Sequence, residues 1–106
     1  MNKKEVVLKM DELIRNIQCN NVEACNRLLA KGADPNGHED IALIRPVHFA
    51  AAYNAGNTML ALLAAGANPH HQTIDGQTAM NIAKLHNHDE IVQMLERYIL
   101  PKAEVC

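Results

Sequence analysis

An all-α solenoid of stacked helical hairpins is the fold class this 106-residue chain predicts, and three observations predict it. The first is a period. Gly32-Ala33-Asp34-Pro35-Asn36 recurs as Gly66-Ala67-Asn68-Pro69-His70 at a spacing of 34, and Arg45-Pro46-Val47-His48-Phe49-Ala50 is followed by Thr78-Ala79-Met80-Asn81-Ile82-Ala83 at 33. The second is a row of asparagines in phase, Asn20, Asn54 and Asn87. Asn enters the left-handed region more cheaply than any residue but Gly, so each can close one helix and turn the chain into the next. The third is composition: 48% hydrophobic but only 3% aromatic residues give a core of Leu, Ile, Val, Met and Ala, which suits close helix packing. A period near 33 means that one supersecondary unit has been stacked, each copy burying its apolar face against the next.

The middle copy is the clearest. Pro46 suits a first helical turn, where its missing N–H costs nothing and its fixed φ is already correct. Val47, Ala50 and Ala51 keep one face small and apolar, Asn54 breaks the helix, and residues 58–65 supply a second helix rich in Leu and Ala. Gly66 then stops that helix and Asn68-Pro69 sets a turn. In the first copy, Asn2 and Glu5 have capping-box spacing and start a helix at Lys3; Asp11 is the alternative start, at the position of Arg45 and Thr78. Leu13, Ile14 and Ile17 face the stack, while Arg15 and Asn16 stand where later copies carry Phe49-Ala50 and Ile82-Ala83, as an outer cap requires. In the third copy Ile91-Val92-Gln93-Met94-Leu95 repeats residues 58–62, Glu96 replaces the leucine of Leu29 and Leu63, and Pro101 ends the helix. Between copies lie two turn segments, residues 37–44 and 72–77. The second contains the turn pair Asp75-Gly76, whereas the first has Ala42-Leu43 and the residue that lengthens the first period.

Pro46-Val47-His48 with Ala50-Ala51, Asp75-Gly76-Gln77-Thr78-Ala79, Ile91-Val92 and Gly32-Ala33-Asp34-Pro35-Asn36 together resemble the ankyrin repeat over residues 11–99. Arg45 stands in place of the usual Thr, Asn81 in place of the usual His, and Asn in place of Gly at each inter-helix turn. The resemblance implies three repeats of about 8–39, 40–72 and 73–100 in one domain with a short tail at 101–106, the outer two acting as caps. It implies helix-turn-helix units with β-turn fingers projecting to one side, and it assigns His48 a hydrogen-bonding role that orders the stack.

A net charge of −2 and a pI near 6.3 leave no basic footprint for nucleic acid. No apolar run approaches the roughly 20 residues that span a bilayer, and the N-terminus lacks the uninterrupted apolar core of a secretory signal. Cys19, Cys25 and Cys106 are odd in number and lack metal-type spacing, which favours reduced thiols and a cytoplasmic setting. Cys25, among Leu28 and Leu29, reads as a buried hydrophobe, Cys19 as partly exposed and Cys106 as a reactive tail thiol. His70-His71 and His86 with His88 invite a metal, yet no Cys or carboxylate stands at ligand spacing beside them, so neither metal nor cofactor is expected. Nor is there a nucleophile elbow, a phosphate loop or a zinc-protease helix, and no catalytic residue is assigned.

Surface is what remains. The resemblance places Ile41, Ala42, Ile44, Ile74, Asp75 and Gln77 on the fingers and Ala52, Tyr53, Leu85 and His86 at the exposed ends of the inner helices, together lining a concave groove. Several are apolar where solvent would favour polar side chains, and contiguous exposed apolar area marks interaction sites. Tyr53 is the expected hot spot. The alternative for Ile41 and Ile44 is internal packing between fingers. The expected function is a non-enzymatic module that binds a partner polypeptide in this groove, as a monomer. The competing readings are a homodimer or larger assembly that associates through the fingers or the Ile99-Leu100 tail and, with least weight, a small metal carrier or enzyme.

Overall fold

The computed structural model describes residues 3–38 and 42–99, with side chains from Met10 onward. Among these lie helices α1 (Lys3–Gln18), α2 (Val22–Ala30), α3 (Pro46–Ala52), α4 (Gly56–Ala64), α5 (Ala79–Leu85) and α6 (Asp89–Ile99), and no strand. They pair as antiparallel hairpins, α1 with α2, α3 with α4 and α5 with α6. The hairpins stack in two layers. In the inner layer α3 lies between α1 and α5; in the outer layer α4 lies between α2 and α6. The result is an elongated body of 46 × 28 × 24 Å.

Each hairpin turns through its asparagine. Asn20, Asn54 and Asn87 have φ of 53°, 55° and 59°, so the repeated Asn is the residue whose short polar side chain tolerates the left-handed turn. At the other end Gly32 and Gly66 follow the outer helices with φ of 103° and 101°. The amides of Ala33 and Ala67 reach back to the carbonyls of Leu28 and Leu62, at 3.0 and 2.9 Å, which satisfies helix-end groups as a Schellman closure does.

Of two boundaries, one decides between the starts the sequence offers and one differs from its reading. The first helix starts at Lys3 and not at Asp11, although Asn2, the proposed cap, lies outside the described residues. The second helix of the middle repeat starts at Gly56, two residues before Thr58, because Ala55 cannot cap it and a cap arrives from elsewhere. Asn20 of the preceding repeat accepts hydrogen bonds from the backbone N–H and the hydroxyl of Thr58, at 3.3 and 2.8 Å. In α2 the equivalent residue is Asn21, which caps its own helix through the N–H of Ala24. A helix end thus keeps an acceptor for its orphan amides, supplied locally in one repeat and across an interface in the next.

The core is continuous through the stack. Leu13, Ile17, Val47, Ala50, Ala51, Ala79 and Ala83 fill the space between inner helices. Cys25, Met59, Leu62, Leu63, Ile91 and Leu95 fill the space between outer ones. Alanines on α3 and α5 let those short helices approach closely, and the larger side chains cluster on α1, α4 and α6. Ile14 is half-buried beside this core, and exposed Glu96 ends the row that Leu29 and Leu63 begin. Cys25 is buried as expected, its thiol raised above the usual range by burial and partly offset by a hydrogen bond with Thr58. Cys19 is exposed and free, while Pro101 and Cys106 lie outside the described residues.

Candidate functional site: the concave groove

His48 ties the middle inner helix to the finger that follows. Its Nδ1 accepts the N–H of Arg45 at 2.9 Å, so the ring proton sits on Nε2 and is donated to the carbonyl of His71 at 2.9 Å. Arg45 stands where Thr78 caps the next inner helix by accepting the N–H of Asn81 at 3.2 Å. A guanidinium has no acceptor, so it binds the carbonyl of Asn36 instead, at 2.5 Å, and the imidazole alone closes that helix start. Burial lowers the His48 pKa below the usual histidine range, and the nearby Arg45 charge lowers it further against the opposing pull of the His71 carbonyl. The same two causes, burial first, lower His71.

The second finger is built from Thr73 to Gln77. The N–H of Thr73 donates to Gln77 O at 2.9 Å, the N–H of Gly76 to Thr73 O at 2.9 Å, and the N–H of Gln77 to Thr73 Oγ1 at 3.1 Å. Its flank is fixed to the first finger by a bond from Ile74 N–H to Ala42 O at 2.9 Å. Between these fingers and helices α3 and α5 lies a concave cavity of about 330 Å³. Its lining comes in pairs one period apart: Ala42 with Asp75, Ile44 with Gln77, Phe49 with Ile82, and Tyr53 with His86. Ala52, Thr73 and His48 complete it. Two successive repeats therefore present the same four positions to one groove, one repeat mostly apolar and the other mostly polar.

Seven of the predicted groove residues, Ala42, Ile44, Ala52, Tyr53, Asp75, Gln77 and His86, meet at this cavity. Ile41 lies outside the described residues. Ile74 and Leu85 are exposed, at 64% and 74%, but do not line it. Thr73, Asp75 and Gln77 turn alternate side chains inward and Ile74 falls between them. On α5 and its C-cap the lining positions are Ile82 and His86, one helical turn apart, and Leu85 lies about a quarter-turn round the helix. Sequence reasoning passed over Phe49 and Ile82. Their signal was present as a period-matched bulky pair on the inner helices where the first repeat has Arg15.

Chemically the site offers recognition by burial. Apolar walls surround a depression with Thr73, Gln77, Asp75 and His86 as polar groups, and Tyr53 is held by a bond from Gln18 Nε2 to its hydroxyl at 3.4 Å. His88 serves the stack itself, since its Nδ1 donates to Ala51 O at 2.8 Å, joining the second and third repeats, and its ring stacks on His86 at 5.7 Å. Among the described residues no group of three or more His, Cys, Asp or Glu could hold a metal ion. None of the described helices is long and apolar enough to cross a membrane.

This architecture, helical hairpins stacked in two layers with fingers on one edge and a groove beneath them, defines a repeat protein with an extended concave surface. A family model described as ankyrin repeats (3 copies) matches residues 13–99. The chain belongs to the ankyrin-repeat family. Among curated proteins it is similar to the ARF GTPase-activating protein Git of Drosophila melanogaster, 31% identical over 84 residues. It is also similar to the ARF GTPase-activating protein GIT1 of Homo sapiens and of Mus musculus, each 33% identical over 86 residues. These matches cover 79% of this chain but only 11–12% of the length of the relatives.

Proposed function

We propose that the chain is a non-enzymatic binding module that holds a segment of a partner protein in the concave groove. Ankyrin repeats generally mediate protein–protein interaction, which supports the class. The observation that carries the site is the cavity itself, lined by apolar and polar side chains drawn from both fingers and both adjacent inner helices. The relatives are named for GTPase activation towards ARF, but the chain matches about a tenth of their length, and we propose that the shared part serves binding rather than catalysis. A cytoplasmic setting is proposed with it, supported by the free thiols of Cys19 and Cys25.

The test compares capture of partners from cell lysate by the wild type and by a Tyr53→Ala, Asp75→Ala pair, followed by titration of the captured protein. The groove pair weakens binding by at least about 2 kcal/mol, as hot-spot truncations do, and leaves the melting temperature nearly unchanged. A pair on the outer helices, Glu23→Ala and Asn57→Ala, has little effect. Loss of binding in the outer pair with retention in the groove pair overturns the assignment.

A further inference from the structure

On the side away from the fingers, α4 and α6 enclose a second depression of about 490 Å³, lined by Leu60 from α4 and by Glu90, Gln93, Met94, Arg97 and Tyr98 from α6. Leu60 and Tyr98 are half exposed, at 49% and 52%. Glu90, Met94 and Arg97 stand at helical positions i, i+4 and i+7, so they form one stripe along α6. Among the described residues neither Glu90 nor Arg97 has an ion-pair partner in its own chain. The helix dipole favours an acidic start and a basic end. Between them Met94 packs partly against the core and the Tyr98 hydroxyl donates to Leu63 O at 3.4 Å, while Leu60 and much of the Tyr98 ring stay uncovered.

The order of charges selects an occupant. Glu90 and Arg97 are separated by about 10 Å along the axis, with Gln93 and Met94 midway. A second α6 laid antiparallel across the stripe brings its arginine to this Glu90 and its glutamate to this Arg97, while a parallel one sets like charges together. Reciprocal contact of this kind is what a twofold interface requires, since residue i meets j of the partner and j meets i. We propose that the α4–α6 face is a self-association surface, with two copies of the chain related by a twofold axis between Gln93 and Met94. Leu60, Met94 and Tyr98 of both copies bury one another at its centre, and the two Glu90–Arg97 pairs close its ends.

The test is sedimentation from about 10 μM to about 1 mM at low and high salt, a range that reaches weak, transient association. The wild type rises in mass with concentration from 11.7 kDa towards twice that value. Glu90→Arg and Arg97→Glu, both at exposed positions, each weaken association at least about tenfold by setting like charges together. An equimolar mixture of the two single variants regains it, because each supplies the charge the other lacks. Circular dichroism melts confirm that both variants are folded. A wild type that stays monomeric at the highest concentration, association that neither variant alters, or a mixture no better than its components overturns the proposal. So does association abolished by Tyr53→Ala with Ile74→Ala, which would place the contact on the fingers.

Discussion

The two fingers occupy the same place in successive repeats, but a different kind of residue fills the left-handed position in each. At the second, Gly76 takes φ 80° within a turn whose bonds run among Thr73, Gly76 and Gln77 themselves. One period earlier Leu43 takes φ 58°, a region that costs a residue with a Cβ about 1–2 kcal/mol. Beside it Ala42 O accepts the N–H of Ile74, and Ala42, Leu43 and Ile44 are half-buried. A repeat fold can therefore place in a left-handed position a residue that prefers it in one copy and a residue that does not in another. The groove between the fingers depends on both.

The largest expected effect comes from removing the packing beneath both fingers. Leu62 is fully buried in the middle repeat, which contributes to both inter-repeat interfaces. Leu62→Ala is expected to cost about 2–5 kcal/mol and to unfold the array as one unit. Denaturant melts read by one probe in each outer repeat check this: coincident midpoints in the wild type are expected, and separated ones contradict the single cooperative unit.

An intermediate effect follows from cutting the tie between stack and second finger. His48→Ala leaves the N–H of Arg45 and the carbonyl of His71 without their imidazole partner, at a cost of about 1–3 kcal/mol. The same group makes stability depend on pH. The folded-state pKa of His48 is lowered, so the unfolded chain binds the proton more readily. Its contribution is present above the unfolded histidine value of about 6.5 and is lost as pH falls below it towards the lowered folded value. Thermal melts between neutral and mildly acidic pH show this slope in the wild type and a shallower one in His48→Ala. Equal slopes would remove His48 from the account.

The smallest effects test the comparison itself. A Cβ added at Gly76 meets nothing within 4 Å, so Gly76→Ala isolates the cost of the left-handed backbone, about 1 kcal/mol destabilising. Leu43→Gly relieves that cost and is expected to be neutral or stabilising by up to about 1 kcal/mol. Paired equilibrium unfolding curves decide it. If both substitutions destabilise equally, Leu43 is held by its side-chain contacts more than the backbone argument allows.

Much of the groove was legible because a repeat exposes equivalence. With Ala42-Leu43 standing where Asp75-Gly76 stands one period on, the shared place of Ala42 and Asp75 on the fingers followed from the resemblance. Ile74 and Leu85 show the boundary of that reading, since apolar character marks a residue as available without fixing the side of the turn or helix on which it stands. Phe49 and Ile82 show the converse. They read as core, and they are partly buried against it, but they also form the groove wall.

By itself the sequence determined the repeat, the helix breaks and the closing turns, because φ preferences of Asn, Gly and Pro act over a few residues and recur wherever the pattern does. Tertiary structure alone decided which polar groups meet across repeats. Asn36 donates to Gly66 O and accepts from Asn68 N–H, Asn20 caps α4, and His88 holds Ala51 O. Each of these bonds spans 30 or more residues. They need the register that packing of the repeats sets, and a directional bond about 3 Å long cannot be inferred from a pattern that specifies faces but not distances.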